Sequence, residues 1–260
     1  MFRCVMALSL IVCASCKSSP KADSARHAPA PAEAPLPPMA STYECRWAGG
    51  PITLNGTADE PAWRRAQLID EFRIPGPAHA RPHTFTRARL LWDRDYLYFT
   101  AEMQDRDVIA KVTEHQGMVW TDDCFELFFK PAEARPEYYE FEVNPLNTRL
   151  ELFFPARDAG GYPIFKDKTH IEMKTAVSVR GTPNLQGDND DGWTVEGRIR
   201  WRDFAPTGGA PKPGDVWKFA LCRCDYTTGI EKPELSSCAP LTQPAFHRYE
   251  DYASLKFVRP

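Results

Sequence analysis

From residue 44 onward, apolar and polar residues alternate in short runs separated by Gly, Pro, Asn and Asp. In the run Tyr96-Leu97-Tyr98-Phe99-Thr100-Ala101-Glu102-Met103, one face is Leu97, Phe99, Ala101 and Met103. In residues 194–201, Val195, Ile199 and Trp201 share a face and the other face is polar. A period of two is the signature of a strand with one buried face. The same pattern predicts strands over 88–92, 96–104, 124–130, 138–144, 149–155, 170–180, 193–201 and 216–226. Many short strands between turns predict an all-β fold, an antiparallel β-sandwich of immunoglobulin-like or jelly-roll type with one or two short helices. A helix is expected over 60–68, with Asp59 as cap, Pro61 in the first turn and Trp63 facing inward. A helical turn is expected over 203–205. No internal repeat or second linker interrupts residues 44–260, which are read as one domain.

The first 43 residues follow a different pattern. Arg3 precedes a short apolar stretch over 5–14, which fits a secretory signal and is too short to span a bilayer. It runs into Cys13-Ala14-Ser15-Cys16, which resembles a bacterial lipobox, with Cys13 standing where Leu is usual three residues before the lipidated Cys16. Residues 17–43 hold six Pro and seven Ala without apolar periodicity. Such a segment buries too little surface to offset its ordering entropy, so it reads as a disordered tether. The expectation is a signal segment (1–16), a tether (17–43) and a domain (44–260), exported and anchored by lipid at Cys16 to a bacterial envelope membrane, in the periplasm or at the cell surface. The alternative is an ordinary signal peptide cut nearby.

Composition sharpens this picture. A hydrophobic fraction of 43% supports a packed core. Residues 1–43 hold four of the 32 basic and two of the 35 acidic residues, which leaves 28 against 33 in the remainder, a net charge of −5. An acidic domain is a poor partner for nucleic acid. No G-x-S-x-G, phosphate-loop or dinucleotide motif is present.

Six blocks occur in a recognisable order. They are Leu54-Asn55-Gly56 with Asp59-Glu60-Pro61-Ala62-Trp63; Leu91-Trp92-Asp93-Arg94-Asp95-Tyr96-Leu97-Tyr98 with Asp105-Arg106-Asp107; Val119-Trp120-Thr121-Asp122-Asp123-Cys124-Phe125-Glu126-Leu127-Phe128; Tyr138-Tyr139-Glu140-Phe141-Glu142-Val143-Asn144-Pro145; Gly192-Trp193-Thr194-Val195-Glu196 with Ile199-Arg200-Trp201; and Pro213-Gly214-Asp215-Val216-Trp217. Together they resemble a family 9-like carbohydrate-binding module and cover most of residues 44–260. The resemblance implies a sandwich related to the DOMON superfamily, whose members bind sugar or haem.

The candidate site starts at Trp120. If 120–128 is extended, then Trp120, Asp122, Cys124 and Glu126 share a face. A sugar needs an aromatic surface for its C–H face and fixed polar groups for its hydroxyls. In the resembled family, a Trp and a Glu at this spacing act as one wall of an aromatic clamp and a hydroxyl-binding carboxylate, and those roles fall on Trp120 and Glu126. The alternative is that Trp120 caps the sheet edge and Glu126 pairs with an Arg. Where the family places an Arg on the next strand, this chain has Glu142. Asn144 is a candidate for sugar hydroxyls. The second clamp aromatic is not fixed by any motif, although Phe246, His247 and Tyr249 lie in a late loop and His247 joins the candidate set. Arg223 alternates with Cys222 and Cys224 and needs an acidic partner such as Glu126, Glu142 or Glu196, as a structural pair or a ligand contact.

Other chemistries find less support. Glu140 and Glu142 share one face of one strand, which is not the opposed geometry of glycoside hydrolysis. The run Asp188-Asn189-Asp190-Asp191-Gly192 has the oxygen density of a calcium loop, and related modules bind structural calcium, but Ile199 stands where an EF-hand loop requires Glu. Haem-binding relatives use an axial Met with His or Lys, for which Met103, Met118, His115 and His170 are available. Past the signal there are five Cys, at 45, 124, 222, 224 and 238. Either Cys222 or Cys224 could pair with Cys238, or all could be free. The sequence thus reads as a non-catalytic module that binds oligosaccharide or polysaccharide, linked to polysaccharide catabolism and needing no firm cofactor. Three alternatives stay open: a haem-binding electron-transfer domain, a glycan-processing enzyme or partner of a glycoside hydrolase, and a scaffold whose site has decayed.

Overall fold

The structure is a computed structural model and describes residues 36–168 and 170–259. Cys16 and most of the expected tether lie outside the described residues. The strands are β1 (Thr42–Trp47), β2 (Thr86–Trp92), β3 (Tyr96–Met103), β4 (Cys124–Lys130), β5 (Tyr138–Val143), β6 (Arg149–Phe154), β7 (Met173–Arg180), β8 (Gly192–Arg200), β9 (Val216–Asp225), β10 (Glu234–Ser237) and β11 (Ala253–Val258). They hydrogen-bond in the order β6-β5-β4-β9-β11-β1-β2-β3-β8-β7, with β10 added to β9. Only β1 pairs in parallel, with β11 and with β2, and every other pairing is antiparallel. The sheet curls back on itself until its ends meet. There, Thr175 in β7 donates to Asn147 next to β6, and the Met173 N–H donates to Glu151 at 3.2 Å. The result is a nearly closed β-sandwich, as the alternation predicts.

The two layers meet along the predicted apolar faces. Leu97, Phe99, Ala101 and Met103 of β3 are fully buried against Phe125, Leu127 and Phe129 of β4, and the rings of Phe99 and Phe125 stack 6.4 Å apart. Gly197 of β8 sits opposite Phe99 in the ladder, and a Cβ there would lie 2.1 Å from that ring. The glycine is therefore the space that the phenylalanine fills. At one end, Trp92, Trp201, Trp217 and Phe257 pack edge to face, which consumes three of the seven Trp as core.

Several local expectations are corrected. The helix expected over 60–68 is a single 3-10 turn, Pro61–Arg65, with Glu60 rather than Asp59 at its cap position and no side-chain cap. What holds it is Trp63, which donates its indole N–H to the buried Glu196 carboxylate at 3.0 Å. The second helical turn spans Trp201–Thr207. β1 begins at Thr42, inside the expected tether, because Tyr43 is buried and donates to the Cys238 carbonyl at 3.4 Å. All five cysteines of the described residues are buried free thiols. The Cys238 pairing is not made, and its sulfur instead accepts the Leu221 N–H at 3.3 Å.

Candidate functional site

The outer face of the β4–β5–β6–β9 layer forms the floor of a cleft of about 920 Å3. Because β4 and β5 pair with Glu126 opposite Glu142, the period of two that buries Phe125, Leu127, Phe141 and Val143 sends Glu126, Glu140 and Glu142 to the other side. Oxygens of these three carboxyl groups all lie within 4.8 Å of one another. The walls are aromatic. Trp120, Tyr162 and Tyr226 form one contacting group, and Tyr138, Phe154 and His247 another, and Cys224 also lines the cleft.

The wall residues hold one another in place. Trp120 lies in a 3-10 turn, Val119–Thr121, immediately before β4. Its backbone carbonyl accepts the Tyr226 hydroxyl at 3.1 Å, and its indole meets the Tyr162 ring edge to face at 4.9 Å. Tyr162 opens a short helix, α1 (Tyr162–Phe165), between β6 and β7 and donates to the Gln116 carbonyl at 2.7 Å. Tyr138 stacks on Phe154 at 4.8 Å, and its hydroxyl lies 3.0 Å from His247 Nδ1.

The electrostatics of the floor are unusual. Glu126, Glu140 and Glu142 are 3%, 4% and 1% exposed. Burial pushes Glu126 up to about 7. Burial, with the nearby Glu126 charge, pushes Glu140 up to about 8. Glu142 is raised well above the usual carboxylate range, by burial first and by both neighbours second. Among the described residues, the donor to Glu126 is the Cys224 thiol at 3.1 Å. Protein packed around His247 lowers its pKa, and its Nε2 lies 3.9 Å from Glu140.

The structure brings Trp120, Glu126, Glu142 and His247 of the predicted set together and separates the other two. Asn144 is fully buried and does not line the cleft. Its amide donates to Asp122 and to the Val112 carbonyl, each at 2.8 Å, and its oxygen accepts the Thr148 N–H at 2.9 Å, so it serves the turn after β5. Arg223 projects to the opposite face of β9. Its partners are Asp105 at 3.0 Å and Asp225 at 3.2 Å, rather than Glu126, Glu142 or Glu196. Strand geometry explains this, since Cys222 and Cys224 on either side of it face the cleft layer. Asp122 also leaves the expected face, because the 3-10 turn breaks the alternation and Asp122 accepts the Lys111 and Val112 N–H groups at 2.9 and 2.8 Å. Tyr162, Tyr226 and Phe154 were not legible as wall residues, and only the alternation of Tyr138, Glu140 and Glu142 marked β5 as a contributor.

The calcium and haem candidates have defined places. In the 188–192 loop, Asp190 is committed to the Val108 and Thr182 N–H groups at 2.9 and 2.7 Å. A second acidic cluster, Asp105, Asp123 and Asp225, lies beside the Arg223 guanidinium, which occupies the electrostatic role of a cation. A divalent ion there would share the Asp105 and Asp225 carboxyl groups with that guanidinium. Met103 is core, Met118 is exposed, His115 lies 2.8 Å from Glu151 and His170 is exposed. None of the four lines the cleft.

Comparison with known proteins agrees with this architecture. The family profile described as "Carbohydrate family 9 binding domain-like" matches residues 54–255. A curated relative, Endo-1,4-beta-xylanase A of Thermotoga maritima, is 23% identical over 216 residues, covering 81% of this chain; the match takes in 17% of the xylanase. A family 9 carbohydrate-binding module from Caldicellulosiruptor kristjanssonii in complex with cellotriose superposes with a TM-score of 0.57 at 16% identity, covering 84% of this chain and 94% of that one. A family 9 module from the same organism in complex with glucose gives 0.56 at 18%, covering 84% and 96%. A Bacteroides uniformis protein assigned as carbohydrate-binding gives 0.64 at 16%, covering 84% and 99%.

Proposed function

This chain belongs to the family 9 carbohydrate-binding domain-like family, and from that premise we infer that it binds saccharide, without turning it over, in the cleft above Glu126. The observation that carries this reading is the pairing of the Trp120 and Tyr162 rings with a carboxyl floor in one cleft of about 920 Å3. Aromatic faces accept the C–H face of a pyranose, and the fixed oxygens of Glu126, Glu140 and Glu142 orient hydroxyls. The three carboxyl groups sit together on neighbouring strands, below the ligand rather than on either side of a bond, which favours binding over hydrolysis. The sugar-bound modules of the same fold and the distant xylanase support a role in polysaccharide recognition during catabolism.

Export and anchoring extend this reading. The short apolar stretch after Arg3, the Cys13-Ala14-Ser15-Cys16 sequence and the Pro- and Ala-rich residues that follow support a domain held near an envelope membrane by lipid at Cys16. A Cys16→Ser variant is expected to leave the detergent phase on partitioning, and continued membrane retention would count against the anchor. For the binding reading, the test is retention of the full chain on a polysaccharide panel. Retention on at least one glycan, lost in Glu126→Gln, supports it, while a chain that binds no glycan overturns it.

A further inference from the structure

Among the described residues, the cleft floor carries three acids, and the base beside them is the His247 imidazole, with Nε2 3.9 Å from Glu140. The lining cations are Arg157 and Arg248, and both are engaged at the rim. Arg157 pairs with Glu250 and packs over the Tyr249 ring at 5.1 Å, while Arg248 pairs with Asp251 at 2.9 Å. Glu140 is 96% buried and lines the cleft; among the described residues its polar surroundings are the Glu126 and Glu142 carboxyl groups, the Cys222 thiol and the Tyr138 and Tyr252 hydroxyls, and His247 Nε2 stands beyond hydrogen-bond reach at 3.9 Å. The other titratable groups facing the floor supply no charge to balance it. Burial holds the thiols of Cys124, Cys222 and Cys224 and the hydroxyls of Tyr138, Tyr226 and Tyr252 in their protonated, neutral forms. Three adjacent buried acids without a cation are an uncompensated arrangement, which a positively charged ligand would relieve.

The walls narrow the class of that ligand. A bare metal ion would leave most of a cleft of about 920 Å3 unfilled, and calcium takes six to eight oxygen ligands where this floor presents three carboxyl groups among thiols and rings. Aromatic faces, by contrast, suit both the C–H surface of a sugar and an ammonium group. Resting on the saccharide reading above, the geometry points to an amine-bearing saccharide, a hexosamine unit with a free ammonium group, as the preferred ligand, its ammonium over Glu126, Glu140 and Glu142 and its ring against Trp120. The ammonium keeps its proton, and the carboxyl groups that ionise beneath it release theirs to solvent. Neutral and N-acetylated sugars offer no such compensation.

The test is calorimetric titration of the full chain at about pH 6.5, where an amine is protonated. The probes are a glucosamine oligosaccharide, its N-acetylated counterpart, a cello-oligosaccharide of equal length and calcium chloride. The expected result is binding of the free-amine oligomer at least about tenfold tighter than the other two sugars, with an enthalpy that varies with buffer ionisation because protons are released. Glu140→Gln should bring the three sugars to similar affinity, and Glu142→Gln serves if that variant fails to fold. Trp120→Ala keeps the net charge, so unchanged binding of the amine oligomer to it would reveal non-specific attraction and overturn the proposal. Equal or tighter binding of the neutral sugars also overturns it while leaving the saccharide reading intact, and binding of calcium in preference to any sugar overturns it in favour of a metal. If no sugar binds at all, both readings fall.

Discussion

Glu126 and Glu142 are direct cross-strand partners on β4 and β5, and both side chains turn away from the core onto the floor of one cleft. Like charges in directly opposed positions destabilise a sheet, and burial compounds the effect. In the folded protein, Glu126 is pushed up to about 7 and Glu140 up to about 8, and Glu142 is raised further. On the opposite face, Asp105 and Asp123 are raised in the same direction, to about 6 and about 9.

A pH dependence of stability follows. Between the ordinary carboxylate range and these raised values, the folded chain holds more protons than the unfolded chain, so stability falls as pH rises. The expected loss from roughly pH 5 to pH 8 is a few kcal/mol. Acids with lowered values, such as Glu250 and Asp251, oppose it only at lower pH. Urea unfolding at several pH values checks this, and Glu140→Gln should flatten the decline and stabilise the protein at about pH 8. Stability that rises over that interval would contradict the acid floor.

Trp120 presents a separable test of wall against core. Its ring is half-buried, packed on Tyr162, and no part of the Phe99–Phe125 interlayer contact depends on it. Trp120→Ala should lower saccharide affinity by about tenfold or more, while costing about 1–2 kcal/mol of stability from lost packing. Trp120→Phe, which keeps an aromatic face, should recover much of the binding. Thermal unfolding measured beside retention on a glycan column separates the two effects. A loss of stability as large as that of a buried core aromatic, about 3–5 kcal/mol, would assign Trp120 to the core instead.

How far the sequence predicted these features depends on how local their causes are. Alternation within one strand placed β3, β4, β5 and β8 closely, because each buries one face on its own. β10 (Glu234–Ser237) carries a single apolar residue, Leu235, and exists only because β9 offers it an edge, so no internal pattern could reveal it. β1 pairs with strands far along the chain, and its first residues read as tether. The Trp120 and Glu126 spacing was legible through resemblance. Tyr162 was not, since it reaches the cleft from a Gly-rich connection held by Gln116, 46 residues earlier. Asn144 was misplaced for the same reason, because its partners Asp122 and Val112 come from a loop that alternation cannot position.

The block Leu54-Asn55-Gly56 with Trp63 proves to be a structural clasp. One carboxylate, Glu196 of β8, accepts the Asn55 N–H at 3.0 Å, the Gly56 N–H at 2.8 Å and the Trp63 indole N–H at 3.0 Å. Gly56 is required because its φ is +82° and a Cβ would lie 2.9 Å from the Val177 carbonyl carbon. Glu196→Ala would leave three donors short of their acceptor, at a cost of about 3 kcal/mol or more. Glu196→Gln keeps one of the two acceptor oxygens and should cost less. Both variants should bind glycans with wild-type affinity at temperatures where they stay folded, because Glu196 lies outside the cleft lining. Weakened binding in folded Glu196→Gln would show that the clasp reaches the cleft.

Arg223 provides the sharpest contrast with the acid floor, since it shows how this fold treats buried acids when it does supply a cation. Its guanidinium is 1% exposed and bonds Asp105 at 3.0 Å and Thr84 at 3.1 Å, with Asp225 at 3.2 Å. Arg223→Met would remove the charge and leave Asp105, Asp123 and Asp225 facing one another in a buried site, with an expected destabilisation of about 3–5 kcal/mol. The loss should be larger at high pH than at low pH, because protonating the aspartates removes the repulsion that the arginine offsets. Adding Asp105→Asn and Asp225→Asn to Arg223→Met should recover part of the stability, a coupling that additive, independent effects would not produce. Urea unfolding of the single, double and triple variants at two pH values measures that coupling. An Arg223→Met protein as stable as the parent at high pH would mean that the three aspartates are compensated by something other than the guanidinium.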